Sequence, residues 1–243
     1  MENIKEALEY AVNLADNEEK IVEGYGGKEY YDKNKHRLVE LEPKKYQTSI
    51  KLNTLTSLVE YILSGRDELL KENITVHVVS PTEVKVFTEL DEERKREVFI
   101  SVETELPNYK YAKFHSLDEF NIQLQSVFVK NEDRDLLIEF ASAVHVEKGA
   151  TVEDSGISQT VTVKNGVTSL AKGKAPNPVT LKPYRTFLEV DQPESLFVFR
   201  MNDDPGCALF EADGGLWKHN ALLNIKEYLK ENLKELKTVE VIA

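Results

Sequence analysis

At 243 residues and 27.7 kDa, with 41% hydrophobic and 30% charged residues, the chain has a globular profile and enough apolar content for a sizeable core. Its net charge of −12 sits mostly in the first 150 residues, since residues 151–243 carry eleven basic and thirteen acidic side chains. That balance argues against a broad grip on nucleic acid, which needs a basic face, and no apolar run approaches the ~18 residues of a membrane span.

Along the chain, Ile4, Leu8, Ala11, Val12 and Ala15 recur at helical spacing and predict a short amphipathic helix. The opening MENIKEALEYAV lacks the basic start and apolar run of a secretory signal. Cys207 is the single cysteine, so no internal disulfide is possible, and a cytoplasmic location is expected. The glycines of Glu23–Lys28 match no phosphate-loop spacing and read as a connector. His36–Glu42 alternates as a strand. From Thr54 the period changes: Leu55, Leu58, Val59, Ile62 and Leu63 mark one helical face, with Gly65 placed for a left-handed cap. Asp67–Asn73 is expected to add a further turn.

Strands are expected over Ile74–Ser80 and Glu83–Leu90, joined tightly at Ser80-Pro81-Thr82, with a third over Lys95–Leu106. Ser116 and Glu119 have the spacing of a capping box. The helix it opens presents Leu117, Phe120, Leu124, Val127 and Phe128. After a break at Asn131–Asp133, a second helix presents Leu136, Leu137, Phe140, Ala141 and Val144, giving a helical hairpin. Asn165-Gly166 predicts a two-residue hairpin turn. Lys172–Pro178 is a polar connector and the candidate seam, and the chain is expected to form either one compact unit or two interlocked regions, 1–150 and 151–243. Strands then follow over Val179–Phe187, Leu196–Met201 and Ala208–Ala212. A helix spans Trp217–Leu236, and Val239–Ile242 closes the chain as a strand. The fold class is α+β: antiparallel sheets with a helical hairpin and a long C-terminal helix.

Special residue types crowd into Pro183–Leu223. Arg185 and Arg200 bracket Glu189, Asp191 and Glu194, while Glu211 and Asp213 run into Gly214-Gly215. A glycine turn feeding a helix presents backbone N–H groups to an anion, and Arg suits bidentate contact with phosphate or carboxylate. The alternative is that each Arg pairs with a neighbouring carboxylate and locks strands together. The i, i+2 pairs Glu189/Asp191 and Glu211/Asp213 would each project to one side of a strand, where two such pairs could hold a hard cation and activate water. No Lys follows either pair at the spacing of a metal-dependent nuclease core. The five His residues show no ligand spacing, so no zinc site is expected. Neither Cys207 nor Ser155 carries a nucleophile motif.

The runs Asp154–Gln159, PYRTFLEVDQPESLFVFR (Pro183–Arg200) and ALFEADGGLW (Ala208–Trp217) resemble a family of phage and prophage proteins typified by the YfdQ protein. The resemblance extends from about Thr54 to the end and is densest after Asp154. It carries no catalytic assignment. It implies a phage origin and action in the cytoplasm of an infected bacterium, from a gene often lying among replication and recombination genes.

The expectation is therefore a phage accessory protein that acts by non-enzymatic binding, without a cofactor or metal, and as a homo-oligomer. It would sequester a nucleotide-like immune signal or a host protein. Its ligand contacts are expected at Arg185, Arg200 and the Gly214-Gly215 turn, with Tyr184 or Phe187 as a stacking surface. Two alternatives remain open: a replication or recombination accessory that binds single-stranded DNA, and a metal-dependent phosphodiesterase or nuclease.

Overall fold

The computed structural model describes residues 2–15, 21–24, 27, 29–32, 38–40, 48–67, 73–91, 94–146, 150–154, 159–165, 169–174, 177–202 and 206–243. The chain divides into two compact units: Met1–Thr48 with Leu90–Lys95, and Ser49–Glu89 with Arg96–Ala243. The expected boundary near residue 150 thus falls within the second unit.

In the first unit, α1 (Glu2–Ala15) is the expected amphipathic helix, and residues 4–10 are exposed. Strands β1 (Ile21–Glu23), β2 (Glu29–Asp32) and β3 (Leu38–Glu40) form an antiparallel sheet. Gly24 is needed where the backbone passes the Tyr30 ring, because a Cβ there would lie 2.5 Å from it.

The second unit contains two sheet-and-helix cores. One is a five-stranded sheet ordered β15-β5-β6-β7-β4, from β4 (Ile50–Leu52), β5 (Ile74–Ser80), β6 (Glu83–Thr88), β7 (Val98–Glu103) and β15 (Val239–Ile242). The β5–β6 hairpin forms as expected, while β15 and β4 join the sheet edges in parallel. The alternation of β5 turns Ile74, Val76 and Val78 onto α2 (Leu55–Leu63) and α5 (Leu216–Leu233), which bury Leu55, Leu58, Ile62, Ile225 and Leu229 in return. Two groups cap α2: Thr54 Oγ1 accepts from Ser57 N at 3.1 Å, and Glu189 Oε1 accepts from Thr56 N at 3.2 Å. Gly65 ends it at φ 60°, the left-handed conformation expected there.

The second core is a four-stranded antiparallel sheet ordered β12-β13-β14-β8, from β8 (His115–Ser116), β12 (Val179–Leu181), β13 (Ser195–Met201) and β14 (Gly206–Glu211). One face of it packs on the hairpin of α3 (Leu117–Val127) and α4 (Glu132–Val146), burying Phe120, Leu124, Leu137, Phe197, Phe199 and Leu209. Ser116 caps α3 by accepting from Glu119 N at 3.3 Å, which is half of the expected box; the Glu119 carboxylate lies 3.0 Å from His115 Nδ1 instead. Asn131 performs the same task on α4, accepting from Arg134 N at 2.8 Å. Strands β9 (Ala150–Asp154), β10 (Gln159–Asn165) and β11 (Ser169–Lys174) make a further antiparallel sheet ordered β11-β10-β9.

Three expectations are corrected here. The strand expected over Val179–Phe187 stops at Leu181, because residues 182–184 turn aside to pair with 127–129: Val129 N donates to Lys182 O at 2.8 Å and Tyr184 N to Val127 O at 3.0 Å. The third strand of the five-stranded sheet is shorter than Lys95–Leu106. Asn165 pairs with Ser169, so it belongs to the ladder and not to a two-residue turn. The expectations for Tyr25, Gly26 and Lys28, for residues 68–72, for His36, Arg37, Leu41 and Glu42, for Ser155 and its neighbours through Ser158, and for Gly166 fall outside the described residues, as do Ala175 and Pro176.

Residues 182–194 form an irregular strap that touches both cores of the second unit. Phe187, fully buried, fills the helix-and-sheet core of α2 and α5, while Arg185 lies against Phe197 in the other. Replacing Phe187 with Ala is expected to cost about 3–5 kcal/mol in chemical denaturation. A loss below about 1 kcal/mol would show that the strap is not anchored there.

Candidate functional site

Arg185 enters the protein interior, leaving 9% of its surface exposed, and four elements surround it. Its Nη1 donates to Glu211 Oε1 on β14 at 2.5 Å, and its Nη2 donates to Ser195 Oγ on β13. The guanidinium carbon lies 3.9 Å from the centroid of the Trp217 ring on α5, 5.7 Å from Phe197 and 5.9 Å from Tyr111. Burial pulls the Arg185 pKa down, while Tyr111, Glu211 and Asp213 oppose that shift. Ser195 Oγ passes the chain of contacts on to Asp213 Oδ2 at 2.7 Å, and Asp213 Oδ1 accepts from Gly215 N at 3.0 Å. Burial alone would raise the Asp213 carboxyl. Hydrogen bonds from Ser195 and from the Gly215 and Trp217 amides, with the Arg185 charge, hold it below the ordinary carboxylate range.

The strap holds this arrangement from behind. The Gln192 Oε1 accepts from both Arg185 N (2.9 Å) and Thr186 N (3.2 Å), and its Nε2 donates to Phe187 O at 3.0 Å. One buried amide thus satisfies the backbone of a segment with no ladder partner beyond residue 184. Thr186 Oγ1 donates to Pro81 O in the β5–β6 turn at 2.6 Å, and Asn224 Nδ2 on α5 donates to Asp191 O at 2.8 Å.

Beside Arg185 opens a cleft of about 210 Å³. Pro183 and Tyr184 form one side, and the loop after β7 brings Leu106, Pro107, Tyr109 and Tyr111 to the other. Tyr111 stacks on Phe197 at 5.5 Å and 14°, and burial pushes its phenol up to about 12. Tyr109 is 7% exposed and packs edge-on to Phe128. Among the described residues, Tyr109 Oη and Arg185 Nε are shielded from solvent and have no hydrogen-bond partner.

The structure brings Tyr184 and Arg185 to this cleft and links Gly215 to Arg185 through Asp213 and Ser195. Gly214 and Gly215 adopt φ of 63° and 82°, which glycine accepts freely, but the Gly215 amide already donates to Asp213. Phe187 is enclosed in the core and offers no stacking surface. Arg200 does not converge with Arg185: along β13, Ser195, Phe197, Phe199 and Met201 face the core, so Arg200 lies on the other face, its Nη1 donating to Phe199 O at 2.9 Å.

The carboxylates are also dispersed. Glu189 caps α2 from a turn and not from a strand, Glu194 lies 3.3 Å from Lys182 Nζ, and Glu211 holds Arg185. Among the described residues, no cluster of three or more His, Cys, Asp or Glu is arranged to hold a metal ion. Cys207 is fully buried, and burial pushes its thiol up to about 12, far from a reactive thiolate. Among the described residues, no helix is long and apolar enough to cross a membrane.

Sequence reasoning missed Tyr109 and Tyr111. Their signal was local: Leu106-Pro-Asn-Tyr-Lys-Tyr111 alternates tyrosines just after a proline, in a stretch given no element beyond the strand expected to end at Leu106. No family model, no curated protein and no solved structure matches this chain.

The folded Asp213 carboxyl ionises at lower pH than the unfolded one. Its contribution is therefore complete above about pH 4 and is lost as the pH falls through the folded value. Asp213→Asn is expected to cost about 1 kcal/mol at pH 7, with the gap from the parent protein closing below about pH 4. Denaturant melts at several pH values check this, and a gap that widens on acidification contradicts it.

Proposed function

We propose that this protein acts by non-enzymatic binding, holding a nucleotide-like ligand whose base enters the cleft beside Arg185. The observation that carries this reading is a cleft of about 210 Å³ walled by tyrosine and proline rings beside a buried guanidinium held in place by Glu211 and Ser195. The 210 Å³ of space corresponds to about seven waters, enough for a single or fused ring and too little for a whole nucleotide. Tyr184 and Tyr111 supply stacking surface. The hydrogen bonds that support Arg185 and the strap fix the cleft wall before any ligand arrives, which lowers the ordering cost of binding.

The resemblance to phage and prophage proteins supplies the setting. The protein would act in the cytoplasm of an infected bacterium, where sequestering a nucleotide-like defence signal assists host takeover. Thermal melts and calorimetry against cyclic mono- and dinucleotides test the reading. At a hundredfold excess over Kd, a bound ligand stabilises by about 2.7 kcal/mol and raises Tm by about 5–10 °C. Absence of any shift across the panel contradicts nucleotide capture.

A further inference from the structure

We propose that His115 is a proton-operated latch beneath the cleft: with both ring protons it ties the tyrosine loop of residues 106–111 to α3, and with one proton it releases the loop. Only the consequence for a ligand rests on the binding reading above; the latch itself is a property of the fold. The ring is 2% exposed, and both of its nitrogens face groups that can only accept. Nε2 lies 3.0 Å from Lys110 O in the loop, and Nδ1 lies 3.0 Å from Glu119 Oε1 on α3. Tyr109, which lines the cleft, packs with its ring centroid 5.2 Å from that of His115. The far end of the loop is fixed separately, since Ala112 N donates to Leu209 O at 2.8 Å.

A neutral imidazole has one N–H and one lone pair, so it serves one of these acceptors and turns its lone pair on the other. Nδ1 makes no hydrogen bond in the chain, although a carboxylate oxygen stands beside it. A second proton converts that repulsion into a charge-assisted contact, the stronger of the two kinds. On giving up a proton, the ring therefore keeps the one facing Glu119 and presents its lone pair to Lys110 O. The loop lets go, and the helix does not. The titratable groups around the ring come from three elements: Glu119 on α3, Tyr109 in the loop, and Cys207, which pairs with His115 across β8 and β14. Burial pushes the Tyr109 phenol and the Cys207 thiol up, the thiol to about 12, so both stay neutral and among these groups Glu119 alone answers the ring's charge. Glu119 is half-exposed and also accepts from Gln123 Nε2 at 3.2 Å, which tethers it along α3. Because the closed loop favours the doubly protonated ring, closure is fullest at low pH and is lost as the pH rises. A ligand in the cleft is then held more weakly as the pH rises.

NMR on the full chain tests this without a ligand. Long-range proton–nitrogen spectra of the His115 ring and amide spectra of residues 106–111 are followed from about pH 5 to 8, where imidazole side chains change charge. The expected result is a ring with two N–H protons at the acid end and a proton on Nδ1 alone at the other, with the loop amides moving in step. Glu119→Gln, at a half-exposed position, should leave the fold intact and move the midpoint of the loop response to about tenfold higher proton concentration. A ring whose proton count stays constant across that range, or loop amides that ignore the pH, would overturn the latch. So would a neutral ring protonated on Nε2, or a midpoint unchanged in E119Q. None of those results touches the nucleotide panel, and an empty panel leaves the latch standing, so the two readings fail separately.

Discussion

Arg185 carries a full charge into a region where water is largely excluded, and the residues around it make that placement tolerable. Burying an unpaired ion costs several kcal/mol, and the cost is offset only by close, well-oriented partners. Those partners come from separate places in the chain: Ser195 from β13, Glu211 from β14, Trp217 from the first turn of α5 and Phe197 from the core face. Moving any one of these elements away would leave the charge exposed to an apolar interior. The guanidinium therefore does what a hydrophobic contact cannot, which is to fix orientation as well as proximity.

The strap that delivers Arg185 has no regular structure beyond its first residues, yet its polar groups are well supplied with partners. Gln192 serves the backbone at Arg185, Thr186 and Phe187, and Thr186 reaches Pro81. Glu189 adds its carboxylate to the N-terminus of α2. Two residues after Arg185 settles on the four-stranded sheet, Phe187 enters the core of the five-stranded one. A single short segment thus serves both cores, and the wall of the cleft at Pro183–Arg185 inherits the rigidity of both. Pre-organisation of this kind suits holding a ligand, since little motion remains to be frozen on binding.

Much of this was legible from periodicity. The helix over residues 55–63, the hairpin over 74–88, the two helices of 117–146 and the last helix all follow from apolar spacing, and the caps at Gly65 and Ser116 follow from residue type. The separation of the two arginines was not read from the sequence, where both were expected at one ligand surface, although the strand period holds the reason for it. From Ser195 the strand period places odd positions inward and Arg200 outward, although proximity in the sequence suggested a shared surface. The strap was not legible, because PYRTFLEV alternates like a strand and nothing local reveals that its ladder partner is lost after residue 184. Nor was the cleft. Tyr109 and Tyr111 sit in a loop without periodic signal, and only the fold brings them to residues more than seventy positions later.

The central claim is that the protein's receptive surface lies between the loop after β7 and the strap, with Arg185 at its side. Amide chemical-shift mapping during a titration of the intact protein with cyclic mono- and dinucleotides addresses it directly. The account predicts that the largest shifts fall on residues 106–111, 127–129 and 184–185, with Arg200 and its face of β13 unmoved. Shifts concentrated on that outer face, or none at the cleft under conditions where the ligand binds, would contradict it.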